Sequence, residues 1–119
     1  MSSHSEGQET IAEGENSHSE GEYAHAVAEA SHAEGMGTSA EGDYSHAEGE
    51  GTETNNTGEH ASGRYNKSTL NITQFSVGIG GDSIHPENAF EIDVNGNVYI
   101  KGIGTYDGTN IGANGVKSV

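Results

Sequence analysis

Five histidines, His4, His18, His32, His46 and His60, recur with a constant fourteen-position spacing. Four of them are followed two residues later by a glutamate: Glu6, Glu20, Glu34 and Glu48. Residues two apart lie on one face of an extended strand, so the spacing predicts a column of imidazoles beside a column of carboxylates. An imidazole N–H beside a carboxylate forms a charge-assisted hydrogen bond. The same residue types also suit a divalent Zn, Ni or Cu ion. We read the column as a structural His–Glu network with no bound metal and no cofactor, because a structural metal site occurs once or twice and not as a continuous ladder. A metal-binding His/Glu solenoid with a purely structural role is the alternative.

Other chemistry is weakly signalled. Val77-Gly-Ile-Gly-Gly81 is glycine-rich, but it lacks the lysine and the following helix of a phosphate loop. Asp93-Val-Asn-Gly96 carries part of a calcium-loop pattern without its remaining acidic ligands. Serines and histidines abound, yet no Gly-x-Ser-x-Gly motif is present. His85-Pro86 reads as a polar turn. Asn55-Asn-Thr57 and Asn71-Ile-Thr73 are glycosylation sequons. The expectation is a protein that is not an enzyme.

The histidine register exposes the elements that carry it. Residues 3–63 divide into five-residue blocks separated by two-residue spacers, among them Ser17-His-Ser-Glu-Gly21, Ser31-His-Ala-Glu-Gly35, Thr38-Ser-Ala-Glu-Gly42 and Ser45-His-Ala-Glu-Gly49. An internal repeat of this kind outranks any other sequence signal. A glycine in nearly every block argues against helix, at about 1 kcal/mol each. A short strand and a corner, twice per repeat, describe a flattened β-solenoid with coils stacked about 4.8 Å apart. Block positions one, three and five then face inward. Position three holds Ala12, Ala26, Ala33, Ala40, Ala47 and Ala61, with Ser or Thr in the other blocks. Only small side chains fit between two closely spaced sheets, so this column is the expected interior.

Composition agrees with a thin core. Leu, Ile, Val and Phe make up 17 of 119 residues, below the ~20% typical of a chain with a conventional apolar core. The net charge is −15, and residues 1–63 hold 14 acidic residues with no Lys or Arg. That sign excludes a nucleic-acid binder working through phosphate neutralisation. No apolar run is long enough to span a membrane, no signal-peptide pattern opens the sequence, and with no cysteine there is neither disulfide nor thiolate chemistry. Ice binding wants an outward threonine array, whereas the Ser/Thr column at position one faces inward.

The composition shifts after residue 66, giving two expected units, 1–66 and 67–119. All four basic residues lie from Arg64 onward. Strand signals appear at Gln74-Phe-Ser-Val-Gly-Ile-Gly80, and an Asn95-Gly96 pair sits between alternating apolar residues. Such a pair is the strongest short hairpin signal. Phe90, Ile92 and Val94 share one face of the first strand, with Val98 and Ile100 packing from the second. One hairpin is marginal alone, so these faces are expected to bury against further chains. The glycine-rich end, 102–119, reads as extended.

The Ser-His-Ala-Glu-Gly blocks alternating with Thr-x-Ala-x-Gly resemble the head repeat of trimeric autotransporter adhesins, the YadA-like head. They are also similar to repeats of phage tail-fibre and neck-appendage proteins. The resemblance covers about residues 3–66. It implies an all-β fold: a left-handed parallel β-roll, one repeat per coil, assembled as a homotrimer about a threefold axis and followed by a β-hairpin connector toward a stalk. In that family the axial strands use apolar residues at block positions two and four, where this chain carries His and Glu. The implied function is attachment to a host-surface receptor or glycan, on a bacterial surface or a virion tail.

Overall fold

The computed structural model describes residues 2–102; the end read from sequence as extended falls, from residue 103, outside them. Twelve strands and no helix make up the described chain, so no helix is long and apolar enough to cross a membrane. Five long strands carry the histidines: β1 (His4–Gln8), β3 (His18–Glu22), β5 (His32–Met36), β7 (His46–Glu50) and β9 (His60–Arg64). They alternate with β2 (Ile11–Ala12), β4 (His25–Ala26), β6 (Ser39–Ala40) and β8 (Glu53–Thr54). Each long strand pairs in parallel with the next, one repeat further on, His4 opposite His18 and His18 opposite His32. The short strands form a second parallel sheet in the same way, Ala12 opposite Ala26 and Ala26 opposite Ala40. The chain is therefore a parallel β-solenoid in which each repeat makes one coil.

The two strands of a coil are unequal, five residues against two, where the sequence predicts two alike. The corners account for the difference. After each short strand the chain makes a tight turn, with Ser17 N–H donating to the Gly14 carbonyl at 3.1 Å and Ser45 N–H to that of Gly42 at 3.2 Å. The turn begins within the block and takes its last two residues. Corners also bond along the stack: Ala30 N–H donates to Glu15 O and Tyr44 N–H to Glu29 O, each at 2.8 Å. Backbone donors thus find partners in the neighbouring coil even outside the strands, as burial of backbone requires.

The interior lies between the two sheets, with Ala26, Ala33, Ala40, Ala47 and Ala61 fully buried. Ala12 is only partly covered, because it belongs to the first coil, which is stacked on one side alone. Position-one hydroxyls face inward, and those of Ser17, Ser31 and Ser45 are satisfied there, whereas the buried Thr38 hydroxyl has no partner. Ser17 and Ser31 donate to the carbonyls of Gly14 and Ala28 at 2.7 Å, and Ser45 and Thr54 share a bond of 2.6 Å. These bonds offset the cost of burying polar groups in so thin a core.

Position five corrects the expectation in the long strands, where its glycines are exposed. At Gly35 the backbone takes φ +108°, turning the residue out of the inward-outward alternation. A Cβ there would stand 2.1 Å from the Gly49 carbonyl of the next coil. Glycine is required at this column by close approach of stacked backbones, not by a shallow interior.

Beyond Arg64, β10 (Thr73–Ile79) adds to the long sheet in parallel with β9, Phe75 opposite His60 and Ser76 opposite Ala61. The offset is one residue longer than between the coils before it, so a phenylalanine takes the place of the next histidine. Strands β11 (Asn88–Asp93) and β12 (Val98–Ile100) extend the sheet antiparallel, Phe90 opposite Val77 and Ile100. Their connection runs through 94–97 instead of the two residues Asn95 and Gly96. Asp93 organises it, accepting from the Asn95 and Asn97 backbone N–H groups at 2.9 Å each, from Asn97 Nδ2 and from the Tyr99 hydroxyl. Val94 consequently lies in this loop, 47% exposed, and not on the strand face with Phe90 and Ile92.

Candidate functional site: the histidine–glutamate face

The outer face of the long sheet displays the repeated side chains. His18, His32, His46 and His60 stand one above another, with ring centroids 4.6, 4.5 and 4.9 Å apart and planes inclined by 3°, 2° and 21°. Those separations match the spacing of paired strands, so the stack follows directly from the parallel register. His4 meets His18 edge-on at 4.9 Å. At the other end the ladder continues through Phe75, 5.4 Å from His60, to Phe90 at 6.0 Å, both edge-to-face.

The carboxylates pair mainly between coils. His46 Nε2 lies 2.8 Å from Glu34 Oε1, and His60 Nε2 lies 3.0 Å from Glu48 Oε1. The partner is thus the glutamate of the preceding coil, not the one two residues on in the same strand. Parallel stacking of the rings fixes their planes, and their Nε2 atoms then lie nearer the carboxylate of the preceding coil. Bonding from His60 holds the Glu48 carboxyl below the usual glutamate range, against a smaller opposing effect of burial. The ladder opens toward its beginning. His32 Nε2 to Glu20 is 3.5 Å, His18 Nε2 is 3.9 Å from both Glu6 and Glu20, and His4 Nε2 is 3.7 Å from Glu6. The Nε2 atoms of His18 and His32 are shielded from water and have no hydrogen-bond partner.

All nine predicted residues of the column therefore share one face. Sequence reading missed its continuation. Phe75 and Val77 follow His60 and Ser62 on that face, and Phe90, Ile92, Val98 and Ile100 extend it across β11 and β12. The opposite face of this antiparallel part is polar, with Glu91 beside Ser76 and opposite Tyr99. The signal available was the lengthened step from His60 to Phe75, visible only once β10 is known to pair in parallel.

A second polar cluster also went unnoticed: the end of the roll. Asn66 occupies an interior position and treats β8 as a neighbouring strand would. Its Oδ1 accepts from Glu53 N–H at 2.8 Å, and its Nδ2 donates to Glu53 O at 3.0 Å. Asn56 Nδ2 reaches Thr73 O at 2.8 Å and Thr69 O at 3.0 Å. Side-chain amides thereby close the short sheet where strand pairing stops. Glu59 replaces the usual position-one serine and is buried. Its Oε1 accepts from Asn55 N–H, Asn56 N–H, Asn56 Nδ2 and Ser68 Oγ, while Oε2 has no partner. Burial pushes this carboxyl above the usual range despite those bonds.

Comparison with protein-family models, with curated proteins and with solved structures finds no match. The reading of the face therefore rests on its geometry and on the repeat itself.

Proposed function

We propose that this chain is a structural and adhesive head module of a homotrimeric surface fibre, packing its His/Glu face around a threefold axis. One observation carries the assembly. On a single face the His–Glu column passes into Phe75, Val77, Phe90, Ile92, Val98 and Ile100, while the other face of the same strands turns polar. In an isolated chain this apolar end is only partly covered: Val98 is 47% exposed, and Phe75, Val77, Phe90, Ile92 and Ile100 are half-buried. A contiguous apolar patch rimmed by polar groups marks an interaction surface, and a repetitive face is most simply covered by copies of itself. In such a trimer three histidines and three glutamates meet in each of the first four coils. A polar seam of this kind sets the register between chains more than it adds stability.

The adhesive part follows from the resemblance of the blocks to YadA-like heads, with the strands beyond residue 66 leading toward a stalk. A rod of 51 × 27 × 20 Å with its carboxylates displayed suits extracellular exposure on a bacterial surface or virion tail. Its host-side partner is a receptor or glycan. The reading assigns the module neither catalysis, nucleic acid nor membrane insertion.

Size-exclusion chromatography with light scattering at neutral pH tests the assembly. The expected mass is three times the 12.3 kDa chain. A monodisperse monomer with a β-type circular-dichroism spectrum would overturn the proposal, since the roll would then be stable with its apolar end only partly covered.

A further inference from the structure

We propose that the open end of the ladder is a binding site for one divalent transition cation, of the zinc, nickel or copper kind, held by His18, Glu20 and His32. Three groups on this face bring two imidazoles and a carboxylate within 4.8 Å of one another: His4, Glu6, His18; then His18, Glu20, His32; then His32, Glu34, His46. The last is compromised, because His46 Nε2 already bonds Glu34 at 2.8 Å. The first is exposed on the end coil. The central group remains, and there the hydrogen-bonding account is incomplete. Its two Nε2 atoms are hidden from water yet unpartnered, an arrangement that costs free energy when nothing fills it.

The distances have the scale of ligands around an ion. Glu20 lies 3.5 Å from His32 Nε2 and 3.9 Å from His18 Nε2, too far for strong hydrogen bonds. Metal–ligand bonds of about 2.0–2.2 Å place neighbouring ligand atoms roughly 3.3–4 Å apart. The face-to-face rings must turn for both Nε2 atoms to aim at one ion. In the single chain their side chains are 40% and 33% exposed, which leaves room to do so before the face is covered by further copies. Glu6 Oε1, 3.9 Å from His18 Nε2, stands ready as a further oxygen ligand. Two imidazoles with carboxylates favour these ions over magnesium or calcium, which take all-oxygen sites. The surrounding charge also draws cations in, since residues 1–63 carry no Lys or Arg. Neighbouring groups share His18 and His32, so filling the central one leaves the others incomplete, and one ion per chain follows.

Calorimetric titration with Zn²⁺ after exhaustive chelation is the test, run on the whole chain with His18→Gln, His32→Gln and His60→Gln variants. Far-UV circular dichroism confirms that each variant keeps the roll. Near-equimolar binding is expected, weakened about tenfold or more by His18→Gln or His32→Gln, on the scale by which disturbed metal sites lose affinity. His60→Gln, outside the three groups, is expected to leave affinity within about twofold. Absence of saturable binding would overturn the proposal, and so would equal binding by all variants. The site is complete within one chain, so its failure is distinguishable from failure of the trimer. Loss of the trimer on chelation would place the ion at the chain interface and overturn the single-chain site.

Discussion

Two glycines in the same coil separate the packing argument from simple backbone preference. Gly35 and Gly37 both have positive φ, +108° and +64°, but a Cβ on Gly37 would meet nothing within 4 Å. Alanine at Gly37 faces only the left-handed penalty of about 1–2 kcal/mol, partly offset by ~0.4–1 kcal/mol from a stiffer unfolded chain. Alanine at Gly35 must also clear the Gly49 carbonyl, from 2.1 Å out to an ordinary contact beyond 3.4 Å. That forces β5 and β7 apart locally by over an ångström, enough to break two or three ladder hydrogen bonds at about 1 kcal/mol each. With about 1–3 kcal/mol of backbone strain, Gly35→Ala loses roughly 3–6 kcal/mol. At roughly 4 °C per kcal/mol or more for a domain of this size, its melting midpoint falls by about 12 °C or more. Gly37→Ala, losing at most about 1.6 kcal/mol, falls by about 6 °C or less at about 4 °C per kcal/mol. The assay is thermal unfolding followed by circular dichroism at one fixed protein concentration, since assembly shifts apparent stability by mass action. Equal midpoints for the two variants would refute the close-stacking account of the glycine column.

Two further outcomes probe the interior. Ala33→Leu places extra methylenes between the sheets beside Ser19 and Ala47, where the alanine is fully buried; a loss of about 3 kcal/mol or more is expected in urea unfolding, and an unchanged midpoint would mean that the sheets are not closely apposed. Glu59→Gln tests the buried carboxyl. Its folded-state pKa is raised by burial, so the folded chain holds the proton more tightly than the unfolded one. Stability is then greatest below the unfolded value, about 4.3, and is lost as pH rises through the folded value. The variant is expected to gain on the wild type as pH rises above about 4 in parallel urea titrations, and a pH-independent difference would show that the Glu59 carboxyl is not raised in the folded chain.

How much of the roll was legible depends on which interactions are local in sequence. The regular spacing of His18, His32 and His46 is a one-dimensional pattern, and parallel in-register stacking turns it directly into a column. Alternation likewise placed Ala33 and Ala47 inside. Position five escaped because a positive φ at Gly35 breaks the alternation, and its need for glycine arises from the Gly49 carbonyl, a full coil further along the chain. The antiparallel end was partly legible: the apolar residues were found, but Asp93 gathers the turn around its own carboxylate and draws Val94 off the strand.

The residue types alone determined that this chain stacks small side chains in a thin β-solenoid and lines one outer face with His and Glu. Composition and a fixed period suffice for that, since backbone pairing between coils needs little from side chains beyond small size and a face. Only the tertiary structure decided which glutamate each histidine meets, because ring stacking, not strand neighbours, sets the direction of Nε2. It also decided that β10 joins the roll in parallel, carrying Phe75 into the ladder and turning the same face apolar. The register of β10 runs one residue beyond the fourteen-residue period, with Phe75 opposite His60, past Asn66, whose side chain closes the short sheet and ends the repeat.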